Sequence, residues 1–65
     1  MTYYKAYIGT WHDTDGVKRI AEGYSRKAIF EKSQEVANRQ NRTVDIIAER
    51  GMNLKFYLIK PEATA

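Results

Sequence analysis

Sixty-five residues, 43% of them hydrophobic and none of them cysteine, describe one small domain. It is near the lower size at which a single core folds without staples, with roughly 60% of the unfolded chain's surface buried. Missing cysteine excludes a disulfide framework and a thiolate metal site and suits a reducing interior, so the cytoplasm is the expected compartment. Eleven Lys plus Arg against eight Asp plus Glu leave a net charge of +3, which permits contact with nucleic acid or an acidic protein surface without demanding either.

No apolar run approaches the ~18 residues of a membrane span. The opening MTYYKAYIGTWH lacks the uninterrupted apolar region of a signal peptide, so the chain is expected to be soluble and unprocessed. Residues 2–11 have the aromatic composition of a strand. Alternation puts Tyr4, Ala6, Ile8 and Thr10 on one face and Tyr3, Lys5, Tyr7, Gly9 and Trp11 on the other. His12, Asp13, Thr14, Asp15 and Gly16 form a turn cluster, since Asp side chains bond their own backbone and Gly accepts positive φ. Residues 17–24 are then the return strand of a hairpin. A five-residue loop pairs Ile8 with Ile20, and a two-residue turn at Asp15 and Gly16 pairs Trp11 with Ile20; the longer loop is favoured.

Residues 25–41, SRKAIFEKSQEVANRQN, are the one stretch with a helical period. At about 100° per residue, Arg26, Ile29, Phe30, Ser33, Val36, Ala37 and Gln40 share one side, and Lys27, Glu31, Glu35, Asn38 and Arg39 the other. Ser25 suits an N-cap, because its hydroxyl accepts from an orphan amide of the first turn, and Asn41 tolerates the left-handed conformation that ends a helix.

Residues 43–50 and 53–60 form a second hairpin. A three-residue loop of Arg50, Gly51 and Met52, with Gly51 in the left-handed position, pairs Ala48 with Leu54, Ile46 with Phe56 and Val44 with Leu58. All three pairs are apolar. A two-residue loop would break up these apolar pairs, so the three-residue loop is expected. Pro61 cannot donate to a ladder and ends the strand, which leaves residues 1–60 as the domain and 61–65 as a disordered tail.

The order strand, strand, helix, strand, strand predicts an α+β two-layer fold: a four-stranded antiparallel sheet with one helix packed on one face. The helix, ~24 Å long, covers one side of four strands at ~4.8 Å spacing. The other side stays open and is expected to show Tyr3, Tyr7, Trp11, Tyr57 and Ile59 interleaved with Lys5 and Lys55. Five Tyr, two Phe and one Trp are many for this length, and a contiguous aromatic patch on a small domain marks an interface.

Catalysis finds little support. The single His, His12, would have to work with Ser25 or Ser33, neither at a nucleophile spacing. The stretch DTDG has the opening of a calcium loop but not its later ligands or closing Glu, so no metal is expected. Gly9, Gly16, Gly23 and Gly51 are scattered and form no phosphate loop, so no cofactor is expected either. Aromatics interleaved with Lys on an open sheet can stack bases and neutralise phosphates, and they equally match the Tyr, Trp and Arg composition of protein hot spots. The candidate partner-binding residues are Tyr3, Lys5, Tyr7, Trp11, Lys55 and Tyr57; Arg39, Arg42, Lys18 and Arg19 are the candidates for nucleic-acid contact.

Two strands ending IAEGYS, a helix opening SRKAIFEKSQEVA and a closing hairpin TVDIIAERGMNLKFYLIK resemble the small bacteriophage-type anti-CRISPR proteins built from a four-stranded antiparallel sheet and one helix. The likeness spans most of the chain and rests on element order and hydrophobic pattern. IAEGYSRKA is also similar to arm-type DNA-binding domains of integrases, which carry three strands before the helix where this chain has two. The first resemblance implies a non-enzymatic protein that occupies a basic or nucleic-acid-binding surface of a ribonucleoprotein complex, by steric blocking given the positive net charge. The expected function is therefore a phage- or mobile-element-type inhibitor or regulator that binds a protein or ribonucleoprotein. Direct DNA or RNA binding is the first alternative and a structural homodimer the second.

Overall fold

The structure, a computed structural model, describes residues 1–9 and 16–62. Five elements follow in the expected order: β1 (Tyr3–Ile8), β2 (Lys18–Gly23), α1 (Arg26–Gln40), β3 (Val44–Arg50) and β4 (Asn53–Ile59). The strands form one antiparallel sheet in the order β2-β1-β3-β4, so β1 and β3 are central and β2 and β4 are the edges. The molecule is a slab of 37 × 28 × 14 Å.

Period-two alternation decides which side chains of the central strands meet the helix. Tyr4, Ala6 and Ile8 of β1 and Val44, Ile46 and Ala48 of β3 are buried against Ile29, Val36 and Ala37 of α1. Small residues, Ala6 and Ala37, both fully buried, let the helix approach the sheet. Ser33 lies among them with its hydroxyl donating to the Ile29 carbonyl at 2.7 Å, a bond one turn back that removes the cost of burying it.

The helix ends where its sequence marks them. Ser25 Oγ accepts from the Ala28 amide at 3.2 Å. At the other end Asn41 adopts φ 52°, ψ 45°, and the amides of Asn41 and Arg42 both bond the Ala37 carbonyl, a Schellman-type closure. Beyond β4 the chain is tied to the helix: Gln34 Nε2 donates to the Lys60 carbonyl at 2.9 Å, and the Glu62 amide donates to Asn38 Oδ1 at 2.8 Å.

Both hairpin registers differ from expectation. In the first, Ile8 pairs with Lys18 and Tyr7 with Arg19, after which the register shifts and Ala6 pairs with Ala21. The Ile8–Ile20 pairing does not hold: Ile8 is already opposite Lys18, and Ile20 is the extra residue of a bulge further along that the alternation pattern does not announce; the alternative Trp11–Ile20 pairing lies outside the described residues. In the second, a two-residue turn of Gly51 and Met52 joins Arg50 to Asn53, and Ile46 pairs with Tyr57, Ile47 with Phe56 and Ala48 with Lys55. Gly51 at φ 61° supplies the first central position of a type II′ turn. The expected apolar pairs Ala48–Leu54, Ile46–Phe56 and Val44–Leu58 are therefore replaced, and every side chain of β4 changes face. Thr10, Trp11, His12, Asp13 and Asp15 lie outside the described residues, as do residues 63–65.

Candidate binding surface

The face of the sheet away from the helix is built in rows set by strand register. Tyr3, Glu49 and Leu54 lie side by side across β1, β3 and β4; Lys5, Ile47 and Phe56 form the next row, and Tyr7, Asp45 and Leu58 the third. On β2, Glu22 stands beside Lys5 and Arg19 beside Tyr7.

The two halves of this face differ in chemistry. Toward β2 the polar groups bind one another: Tyr3 OH donates to Glu22 Oε2 at 2.8 Å, Arg19 Nη1 lies 3.4 Å from the same carboxylate, and Lys5 Nζ lies 3.2 Å from Glu49 Oε1. The Tyr3 ring meets Tyr24 edge to face at 4.8 Å. The hydrogen bond to Glu22, which favours the neutral phenol, holds Tyr3 above the usual tyrosine range. Toward β4 the surface is apolar, and Leu54, Phe56 and Leu58 are 58%, 68% and 65% exposed. A shallow groove of about 460 Å³ runs there, lined by Tyr7, Val17, Asp45, Ile47, Phe56 and Leu58 among others.

Of the expected partner-binding residues, this face brings together Tyr3, Lys5 and Tyr7. Lys55 and Tyr57 are on the helix side, displaced by the register of the second hairpin, and Trp11 is outside the described residues. Tyr57 instead completes a cluster at the start of α1. Its ring meets Phe30 edge to face at 5.2 Å; the Arg26 guanidinium sits 4.4 Å from the Phe30 centroid and 5.1 Å from that of Tyr57, and Nη1 donates to Tyr57 OH at 3.3 Å. That bond favours the phenolate and holds Tyr57 below the usual range.

Leu54, Phe56 and Leu58 were not among the residues expected on this face. Their signal was present in NLKFYLI, an edge strand in which one alternating set is wholly apolar and the other still holds Tyr57 and Ile59, so both faces offer apolar groups to cover.

The expected nucleic-acid residues do not converge on the open face. Arg39 is bonded to Glu35 at 2.6 Å on the exposed flank of the helix, Arg42 is exposed just past its end, and Lys18 and Arg19, adjacent on β2, point to opposite faces. Among the described residues the open face holds Lys5 and Arg19 against Glu22, Asp45 and Glu49, an excess of one carboxylate in a chain of net charge +3. Among the described residues no three acidic or histidine side chains gather to hold a metal, and no helix is long and apolar enough to cross a membrane.

Fold and surface together define a two-layer ββαββ domain with one sheet face uncovered and its exposed apolar side chains gathered on one edge strand. No family model, curated protein or solved structure matches this chain.

Proposed function

We propose that this is a non-catalytic binding protein whose partner is another polypeptide, docked on the open face of the sheet. The observation that carries the reading is the apolar strip of Leu54, Phe56 and Leu58 beside the groove under Tyr7 and Ile47, where an exposed contiguous patch calls for an occupant. The charge of that face favours protein over nucleic acid, because three carboxylates against two cations repel phosphates. An inhibitor or regulator that acts by steric blocking of a protein or ribonucleoprotein would use a surface of this kind, and the ββαββ order behind the anti-CRISPR resemblance is the order the chain adopts.

The test compares the native protein with Tyr7→Ala, on the groove, and Lys27→Ala, on the exposed side of the helix, as baits for partners in cell extract. The fluorescence of the single tryptophan is followed in parallel while random DNA and RNA are added at low and high salt. A discrete protein held by the native chain and Lys27→Ala but lost with folded Tyr7→Ala, together with a flat nucleic-acid titration, is the expected result. Quenching that weakens steeply with salt, or capture indifferent to Tyr7, would overturn it.

A further inference from the structure

The two edges of the sheet are built differently. β2 carries exposed Lys18, Arg19 and Glu22 and a bulge at Ile20, the devices by which edge strands avoid pairing with other chains. β4 has a regular register over all seven residues and a single charge, Lys55. Because Arg50 and Asn53 close a two-residue turn, the Asn53 amide is directed at β3. Alternation then turns the backbone groups of Lys55, Tyr57 and Ile59 inward as well and those of Leu54, Phe56 and Leu58 outward. The residues with the most exposed apolar side chains of the strand are thus also those whose amides and carbonyls face no described strand.

We propose that β4 pairs antiparallel with β4 of a second copy of this chain about a two-fold axis through Phe56, joining two four-stranded sheets into one of eight. This goes beyond the partner reading, since it concerns the strand edge and stands whether or not a partner occupies the open face. Phe56 is the midpoint of Asn53–Ile59, so this register alone aligns the strand over its full length. It sets Phe56 against Phe56 and Leu54 against Leu58 on the open face, with every outward amide and carbonyl paired.

On the helix side Lys55 comes opposite Tyr57 of the second copy, an attractive pairing of a cation with an aromatic ring. Moving one step toward Asn53 would set Lys55 against Lys55. The charges on the strand thus accept a second copy in the full-length register and reject that neighbour. An isologous contact of this kind closes after two copies, because each chain's other edge, β2, is blunted. The edge is ~24 Å long and 14 Å deep, about 300 Å² in projection per copy, which falls in the class of weak, reversible interfaces.

The experiment measures mass in solution by sedimentation between about 1 μM and about 1 mM for the native chain, Phe56→Lys, Phe56→Glu and their equimolar mixture. A residue on the two-fold axis faces its own copy, so each variant repels itself while the mixture attracts. The native chain is expected to pass from monomer to dimer with concentration, each variant to stay monomeric, and the mixture to recover the dimer. Since Phe56 is 68% exposed, both variants keep the fold, which circular dichroism checks. Amide exchange on the native chain is a second readout, with the Leu54, Phe56 and Leu58 amides slowing as the dimer fills. A native chain monomeric throughout, a dimer in which those amides stay fast, or single variants that still dimerise would each overturn the proposal. Tyr7→Ala leaves this equilibrium unchanged, so loss of a partner and loss of the dimer are separable.

Discussion

Ile46 and Ile47 are neighbours on β3 with the same side chain on opposite faces, so the same substitution at each position weighs the covered face against the open one. Threonine is the informative replacement: it keeps the β-branched shape a strand favours while exchanging apolar atoms for a hydroxyl. At Ile46, fully buried between Ala6 and Tyr57 beneath the helix, the change loses about 1.5 kcal/mol of transfer energy. It also leaves a buried hydroxyl with no partner, costing about 1–3 kcal/mol more. The sum, about 2.5–4.5 kcal/mol, is a large part of the roughly 3–10 kcal/mol available to a domain of this size, and it lowers the midpoint by about 10–36 °C. At Ile47, partly buried between Lys5 and Phe56, the hydroxyl reaches water and the cost is about 1 kcal/mol, or about 4–8 °C. Thermal and urea unfolding followed by circular dichroism at low protein concentration separates the two, with unchanged urea slopes confirming that only stability has moved. Equal losses at the two positions would refute the open face, because Ile47 would then be covered by its own chain.

Tyr57→Ala should lower the thermal midpoint clearly more than Phe56→Ala, since Tyr57 packs on Phe30 and Arg26 whereas Phe56 is 68% exposed; the reverse order would restore the three-residue loop. In an alkaline titration followed by phenolate absorbance, Tyr57 should ionise below the ordinary value of 10.0 and Tyr3 above it, so Tyr57→Phe removes absorbance change on the acid side of that value and Tyr3→Phe on the alkaline side. The linked stability has opposite signs. The Tyr3 contribution is complete below pH 10 and is lost as pH climbs through its raised folded value, whereas that of Tyr57 grows as pH rises through its lowered one. Ser25→Ala should cost about 1 kcal/mol of unfolding free energy by removing the bond to the Ala28 amide. Asn41→Gly should be neutral or better, because glycine adopts φ 52° without a Cβ clash.

How far the sequence could be read depended on whether one physical signal acted alone. For α1 the apolar stripe, Ser25 and Asn41 all agree, and both ends fall where they point. β1 alternates cleanly, and Tyr4, Ala6 and Ile8 are the inward set as expected. In β4 two signals conflict. Matching apolar residues across the hairpin favours Phe56 opposite Ile46, while Gly51 followed by Met52 favours a type II′ turn, which sets Tyr57 there instead. The turn prevails even though it leaves Leu54, Phe56 and Leu58 exposed, because Tyr57 and Ile59 still give the helix side apolar groups to pack on the core. The open surface was thus legible in its β1 half, Tyr3, Lys5 and Tyr7, and misread in its β4 half. The bulge at Ile20 depends on how β2 fits against β1, a tertiary matter with no local mark in IAEG.

The strand order also governs how the chain can reach this fold. The central pair of the sheet joins β1 to β3, with Tyr3 against Glu49 and Ile8 against Val44, partners from opposite halves of the sequence. Each hairpin is local and can form within microseconds. Neither buries a core alone, because the inward faces of β1 and β3 cover each other's flanks only once both are in place beneath the helix. The slow event is therefore the meeting of the two halves, with its loop-closure entropy spent before the core contacts repay it. On a ribosome this domain stays unfolded until β3 has emerged, so its first aromatic strand waits exposed for most of synthesis.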